Sequence, residues 1–255
     1  TACARERGAV PVHEGRAGGR AVRERAGSPA TVVELGGQDA KIVRLAGSGP
    51  DMQMNDRCAA GTGATLDRVA RRLGLDHEAL RAARLSGDLS VAAKCGVFAE
   101  TDVVNLVKRG ATPLAALSAL VRAMVVQNLA VLARGNTLMP PVLLLGGPHA
   151  HLPILRDAWE ETLLSLWLQR GIEPGEVVVP EHAELYAAFG AALLAAAGAR
   201  PLAQVRGVIA SARIDGVTRA TDRELAPLRC SPSVTRGAAR VHLGIDAGST
   251  TAKAV

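Results

Sequence analysis

From residue 31 to residue 198 the chain alternates runs of strand character with runs of helical character, and few folds accept that pattern. TVVEL (31–35) and AKIVRL (40–45) flank the turn GGQD and read as a hairpin. Leu66, Val69, Ala70 and Leu73 share one helical face before Gly74, and a second helix is expected from Phe98 to Lys108, stopped by Gly110. Thr112 and Pro113 supply an N-cap and a first-turn proline for a long helix reaching Arg134, with Leu114, Leu117, Val121, Met124, Val125 and Asn128 along one stripe. The apolar strand VLLL then runs into Gly146-Gly147, followed by a helix over 152–168, the strand EVVVP and an Ala-rich helix over 183–197. The fold class expected is α/β.

Outside that span the pattern changes. Residues 1–30, rich in Arg, Gly, Ala and Glu, show no strong periodicity and read as an incomplete N-terminal part. Residues 199–240 lose the alternation and read as a linker, and VHLGIDAGSTTAKAV (241–255) returns to strand–turn–strand. The chain reads as a piece of something longer.

Composition narrows the function classes. Only 2% of the residues are aromatic, so the core is built from Ala, Leu and Val, and the platforms that stack single-stranded bases are scarce. The net charge of +6 comes largely from scattered arginines, with neither stripe nor motif, and no nucleic-acid partner is expected. No uninterrupted run of about 18 apolar residues predicts a membrane span. Cys3, Cys58, Cys95 and Cys230 stand far apart, which favours free thiols or metal ligands over a disulfide framework and a cytoplasmic location over an oxidising one. His149 and His151, in GGPHAHL, find no third ligand at regular spacing and are placed in a loop entering the next helix.

Three glycine segments join strands: ELGGQDAK (34–41), LLLGGPHAHL (143–152) and GIDAGSTTAKAV (244–255). Such turns bring backbone N–H groups close to phosphate oxygens, Ser249 and Thr250 add hydroxyl donors, and Asp39 or Asp246 can hold Mg²⁺ directly or through its water. Singly, each is an ordinary tight turn. Together they resemble the first phosphate, second phosphate and adenosine motifs of the acetate/sugar kinase, Hsp70 and actin ATPase superfamily, with AAFGAALLA (187–195) similar to its closing helix. That resemblance implies ribonuclease-H-like subdomains clamping ATP and Mg²⁺. Gly36, Gly37, Gly146, Gly147, Asp246, Gly248, Ser249 and Thr250 would contact nucleotide, and Gln38 and Asp39 would serve hydrolysis.

Two further segments, MNDRCAAGTG (54–63) and KCGVFAET (94–101), each set a cysteine just before an expected helix, where free N–H groups and the dipole favour thiolate. They resemble the cysteine stretches of the activators of 2-hydroxyacyl-CoA dehydratases, the BadF/BadG/BcrA/BcrD family. The resemblance implies that Cys58 and Cys95 ligate a 4Fe–4S cluster whose other two thiolates come from a second copy or second module. It also implies an iron–sulfur dehydratase or reductase as the electron acceptor, with ATP hydrolysis altering the surroundings of the cluster. Cys3 and Cys230 match nothing. Glu34 departs from the family, whose small members usually carry Asp there.

The motif order suits a long two-module member: residues 31–198 would finish one ATPase module and residues 241–255 open another, with Asp246 serving a different nucleotide from Gly36 and Gly147. Two other readings compete: a sugar or acid kinase without a cluster, and a non-catalytic scaffold. Anaerobic colour separates the first, and ATP binding the second.

Overall fold

The computed structural model describes residues 10–45, 51–55, 61–91, 96–198, 242–247 and 252–255. Its centre is a five-stranded sheet in the order β3-β2-β1-β4-β5, comprising β1 (Thr31–Leu35), β2 (Ala40–Arg44), β3 (Asp51–Asn55), β4 (Val142–Leu145) and β5 (Val177–Val178). The first three strands form an antiparallel meander; β4 then lies parallel to β1, and β5 parallel to β4. The parallel pairs enclose long crossovers, as parallel strands require.

Side-chain alternation sends β1 and β4 to both faces. Val33, Leu35, Val142 and Leu144 point into the broad core, Val32, Leu143 and Leu145 into a narrow one. The broad core is closed by α2 (Gly63–Arg72), α3 (His77–Ala82), α4 (Gly96–Lys108), α5 (Pro113–Asn128) and α7 (Pro153–Gln169). Trp159 and Trp167 are fully buried there, and the Trp167 indole N–H donates to the Leu138 carbonyl at 2.7 Å. The narrow core is closed by α1 (Glu14–Arg25) and α8 (Tyr186–Ala197), through Ala21, Val22 and Tyr186.

Helix ends follow their local signals. Thr112 caps α5 by accepting from the Ala115 N–H at 3.2 Å, and Asp76 caps α3 through Ala79 at 2.8 Å. The long apolar helix is not uniform, however: after Asn128 the backbone widens into a π segment, Leu129–Ala133, which ends at the left-handed residue Arg134. The continuous run Pro113–Ala133 has a mean hydropathy of 1.7 and is long and apolar enough to cross a membrane. Its position explains the composition, because Ala116–Val121 and Met124 are packed inside the broad core.

Three elements depart from expectation. Residues 14–25 form α1 although only Ala17, Ala21 and Val22 of its buried face are apolar, and all are small. β3, the polar DMQMN, pairs along its whole length with β2. His149 lies in a short helix, α6 (Gly147–His151), and is buried. The linker expected over 199–240 lies outside the described residues.

α1 and α8 pack at backbone distance: a Cβ on Gly190 would lie inside van der Waals distance of the Ala17 carbonyl. The Arg25 guanidinium covers the Phe189 ring at 4.5 Å. A two-stranded hairpin, β6 (Ile245–Ala247) and β7 (Ala252–Ala254), rests on α8, where Gly244 admits the Ala188 carbonyl.

Candidate functional site

The turn between β1 and β2 closes when the Gly36 N–H donates to the Asp39 carbonyl at 2.9 Å. A Cβ on Gly36 would collide with Asp39 Oδ1, so the carboxylate folds back over the glycine. Gln38 is exposed at the tip. The turn is clamped from outside: Gly63 N–H donates to the Gly36 carbonyl at 3.0 Å and Ala64 N–H to the Gly37 carbonyl at 2.8 Å. The first turn of α2 thus finds its acceptors in the glycine turn. Two residues earlier, the Gly61 carbonyl accepts from buried Asn128 Nδ2 at 2.9 Å.

The end of β4 joins the same corner. Gly146 has φ of 94°, a conformation that disfavours any side chain, and a Cβ there would strike the Leu35 carbonyl. Its N–H donates to the Ala183 carbonyl at 3.0 Å. A Cβ on Gly147, by contrast, meets nothing within 4 Å. Pro148 reaches across to α2, where a Cβ on Gly63 would come within 2.7 Å of its ring. Gly36, Gly37, Asp39, Gly146 and Gly147 are therefore gathered at the ends of two parallel strands.

His149 lies beneath this corner and serves the core. Trp159 Nε1–H donates to His149 Nε2 at 3.0 Å, which leaves Nδ1 as the protonated nitrogen donating to the Leu145 carbonyl at 2.7 Å. Burial pushes its pKa down to about 4 against the opposing pull of that carbonyl, so the ring is neutral.

The charged part of the site lies on the α1 side of the sheet. Glu34 and Lys41 are cross-strand neighbours. Lys41 is 3% exposed, and its Nζ lies 2.5 Å from Glu14 Oε1, 3.0 Å from Asp39 Oδ2 and 3.8 Å from Glu34 Oε1. Burial works against this ammonium, yet Glu34, and after it Glu14 and Asp39, hold its pKa above the ordinary lysine value. Glu34 is pushed up to about 7, chiefly by burial; Lys41 opposes that rise, whereas Glu14, Asp39 and Asp246 add to it. Asp246 itself pairs with Lys253 at 3.4 Å.

Cys58, Cys95, Gly248, Ser249 and Thr250 lie outside the described residues. Their flanks are defined: β3 ends three residues before Cys58, Gly61 is held by Asn128 three residues after it, and α4 starts directly after Cys95. Among the described residues no group of three or more His, Cys, Asp or Glu is placed to hold a metal ion. A cavity of about 170 Å³ between the π segment and α7, lined by Leu129, Ala133, Leu138 and Leu163, shares no residue with the glycine corner.

A family model described as the BadF/BadG/BcrA/BcrD ATPase family matches residues 15–195. The chain belongs to this family. Among BadF/BadG/BcrA/BcrD relatives, it is 30% identical over 169 residues to the 2-hydroxyisocaproyl-CoA dehydratase activator of Clostridioides difficile, covering 65% of this chain and 59% of that protein. It is 31% identical over 168 residues to the (R)-2-hydroxyglutaryl-CoA dehydratase activating ATPase of Acidaminococcus fermentans, covering 65% and 60%. It therefore spans about six tenths of the length of these relatives. The solved activator of the 2-hydroxyisocaproyl-CoA dehydratase from Clostridium difficile with bound ADPNP superposes with a TM-score of 0.60 at 26% identity, over 72% of this chain and 66% of that one. Component A of the Acidaminococcus fermentans (R)-2-hydroxyglutaryl-CoA dehydratase gives 0.58 at 28%, over 72% and 67%. The α/β fold of the acetate/sugar kinase, Hsp70 and actin superfamily is thereby established.

The motif reading passed over Lys41, Glu14 and Asn128. Period-two alternation in AKIVR already puts Lys41 opposite Glu34 on the face away from Ile42. Nothing local announces that Glu14 or Asn128 reaches the site.

Proposed function

We propose that the protein is an ATP-hydrolysing activator that delivers a low-potential electron to an iron–sulfur dehydratase or acyl-CoA reductase component in the cytoplasm. The observation that supports this most is the clamp between the glycine turn and the entry to α2. It joins the glycine turn to Gly63 and Ala64 at the entry to α2, so movement at one is felt by the other.

Gly36 and Gly146 offer main chain where a side chain would strike the turn itself, and Gly36, Gly37, Gly146 and Gly147 would contact the nucleotide. Gln38 and Asp39 would orient the attacking water, and Asp39 or Asp246 would hold Mg²⁺ directly or through its water. Asp246, Gly248, Ser249 and Thr250 would form the first phosphate motif, in the two-module reading as the opening of a second unit after a linker over 199–240. Cys58 and Cys95 would hold half of a 4Fe–4S cluster, the other half coming from a second copy or second module. When bound, that cluster would supply one-electron reduction.

Two measurements test this reading. Gly147→Val points its side chain into open space, so it should weaken ATP-analogue binding at least tenfold with little change in melting temperature; unchanged affinity would refute the adenosine assignment. Anaerobic reconstitution with iron and sulfide should give a reducible paramagnetic centre that Cys58→Ala and Cys95→Ala each abolish while nucleotide still binds. Full iron content in either variant removes that cysteine from the ligand set.

A further inference from the structure

We infer that Lys41 is a positioning residue for hydrolysis: its buried ammonium fixes the Asp39 carboxylate over the glycine turn and ties that turn to α1 through Glu14. The inference rests on the nucleotide reading above and deepens it. The two oxygens of Asp39 are held differently. Oδ1 lies against Gly36, where even a methyl group would displace it, while Oδ2 pairs with Lys41 Nζ at 3.0 Å. Rotation of the carboxylate about its Cβ–Cγ bond must break the second contact, so the ammonium sets which edge faces outward.

The position of Lys41 is expensive unless it serves that purpose. A side chain 3% exposed, in mid-strand, surrounds one positive charge with three carboxylates, from β1, the turn and α1. Buried charges are tolerated when paired and hydrogen-bonded, and removing one partner strands the rest. Glu14, at 2.5 Å, makes the same ammonium the only salt-bridge link from the turn to α1 among the described residues.

The test uses the full-length protein, with steady-state ATP hydrolysis and ATP-analogue affinity measured on Lys41→Met, Lys41→Arg, Asp39→Asn and the double variant Asp39→Asn/Lys41→Met. Lys41→Met should lower kcat at least tenfold with KM changed less than threefold, and Lys41→Arg should recover most of the loss. In the Asp39→Asn background, Lys41→Met should change kcat less than twofold, because the residue acts through Asp39. A kcat within twofold of wild type for Lys41→Met overturns the inference, and so does a further tenfold loss in the Asp39→Asn background. If Lys41→Met alone fails to fold, the Asp39→Asn pair and Lys41→Arg decide: an Arg variant at wild-type kcat supports the inference, and one as inactive as Asp39→Asn overturns it. A wild-type protein that binds no ATP analogue would overturn the nucleotide reading itself.

Discussion

The two faces of the sheet are built on different physics. The broad face buries large side chains, Trp159, Trp167, Leu117, Leu120 and Met124, and its solidity comes from removing apolar area from water. The narrow face has little to bury. α1 and α8 meet through Ala17 and Gly190 at backbone contact, and the sheet beneath them carries the ion cluster of Glu34, Lys41, Glu14 and Asp39. The broad face therefore depends on side-chain volume, and emptying a large buried site there is costly. The narrow face depends on close approach and charge balance, so small substitutions there reach the glycine turn.

The contrast can be broken by mutation, and the largest effect belongs to the broad face. Trp159→Ala should cost about 3–5 kcal/mol in urea unfolding, since it empties a fully buried indole site and leaves His149 Nε2 without its donor. A loss under about 1 kcal/mol would mean the broad core is not where stability resides.

Acid should act on the same face next. The unfolded histidine takes up its proton near pH 6.5, whereas native His149 does so only near 4. Between those values the unfolded state binds more protons, so the contribution is complete above about pH 6.5 and is lost as pH falls toward 4. It amounts to something on the order of 3 kcal/mol. Unfolding free energies at pH 7.5, 6 and 5 should fall more steeply for the wild type than for His149→Gln; parallel curves would assign the acid response elsewhere.

On the narrow face, Gly190→Ala adds one methyl group and should still cost about 1–3 kcal/mol, because the Ala17 carbonyl cannot yield without parting the helices. Equal melting temperatures would show that α1 is only loosely seated. Asn128→Ala tests the clamp that bridges core and site. Losing the bond to the buried Gly61 carbonyl should cost about 1–2 kcal/mol and raise hydrogen exchange at Gly63 and Ala64 before any other part of α2. Unaltered exchange there would detach Asn128 from the glycine corner.

The legible elements were those whose signals are local. The Gly-Gly turn between β-branched runs, Thr112-Pro113 before a helix and Gly146 after VLLL each specify a backbone choice within a few residues. What stayed hidden depends on partners distant in sequence. α1 has few and small apolar residues, and it seats on α8 where Gly190 lets the Ala17 backbone approach. β3 is polar because only one edge of it is paired, and that edge is specified by β2. His149, beside glycines and a proline, reads as a loop residue until Trp159, ten positions on, takes its second nitrogen.

By itself, therefore, the amino-acid order determined the α/β alternation, the glycine turns and the cysteine stretches by which the family is recognised, since each is written in neighbouring residues. Only the tertiary structure decided that the turn at 36–39 is held by the entry to α2, that Asn128 anchors Gly61, and that Lys41 gathers three carboxylates from three elements. Those are contacts between residues up to 67 positions apart, and their energies depend on burial and distance, which exist only once the chain is packed.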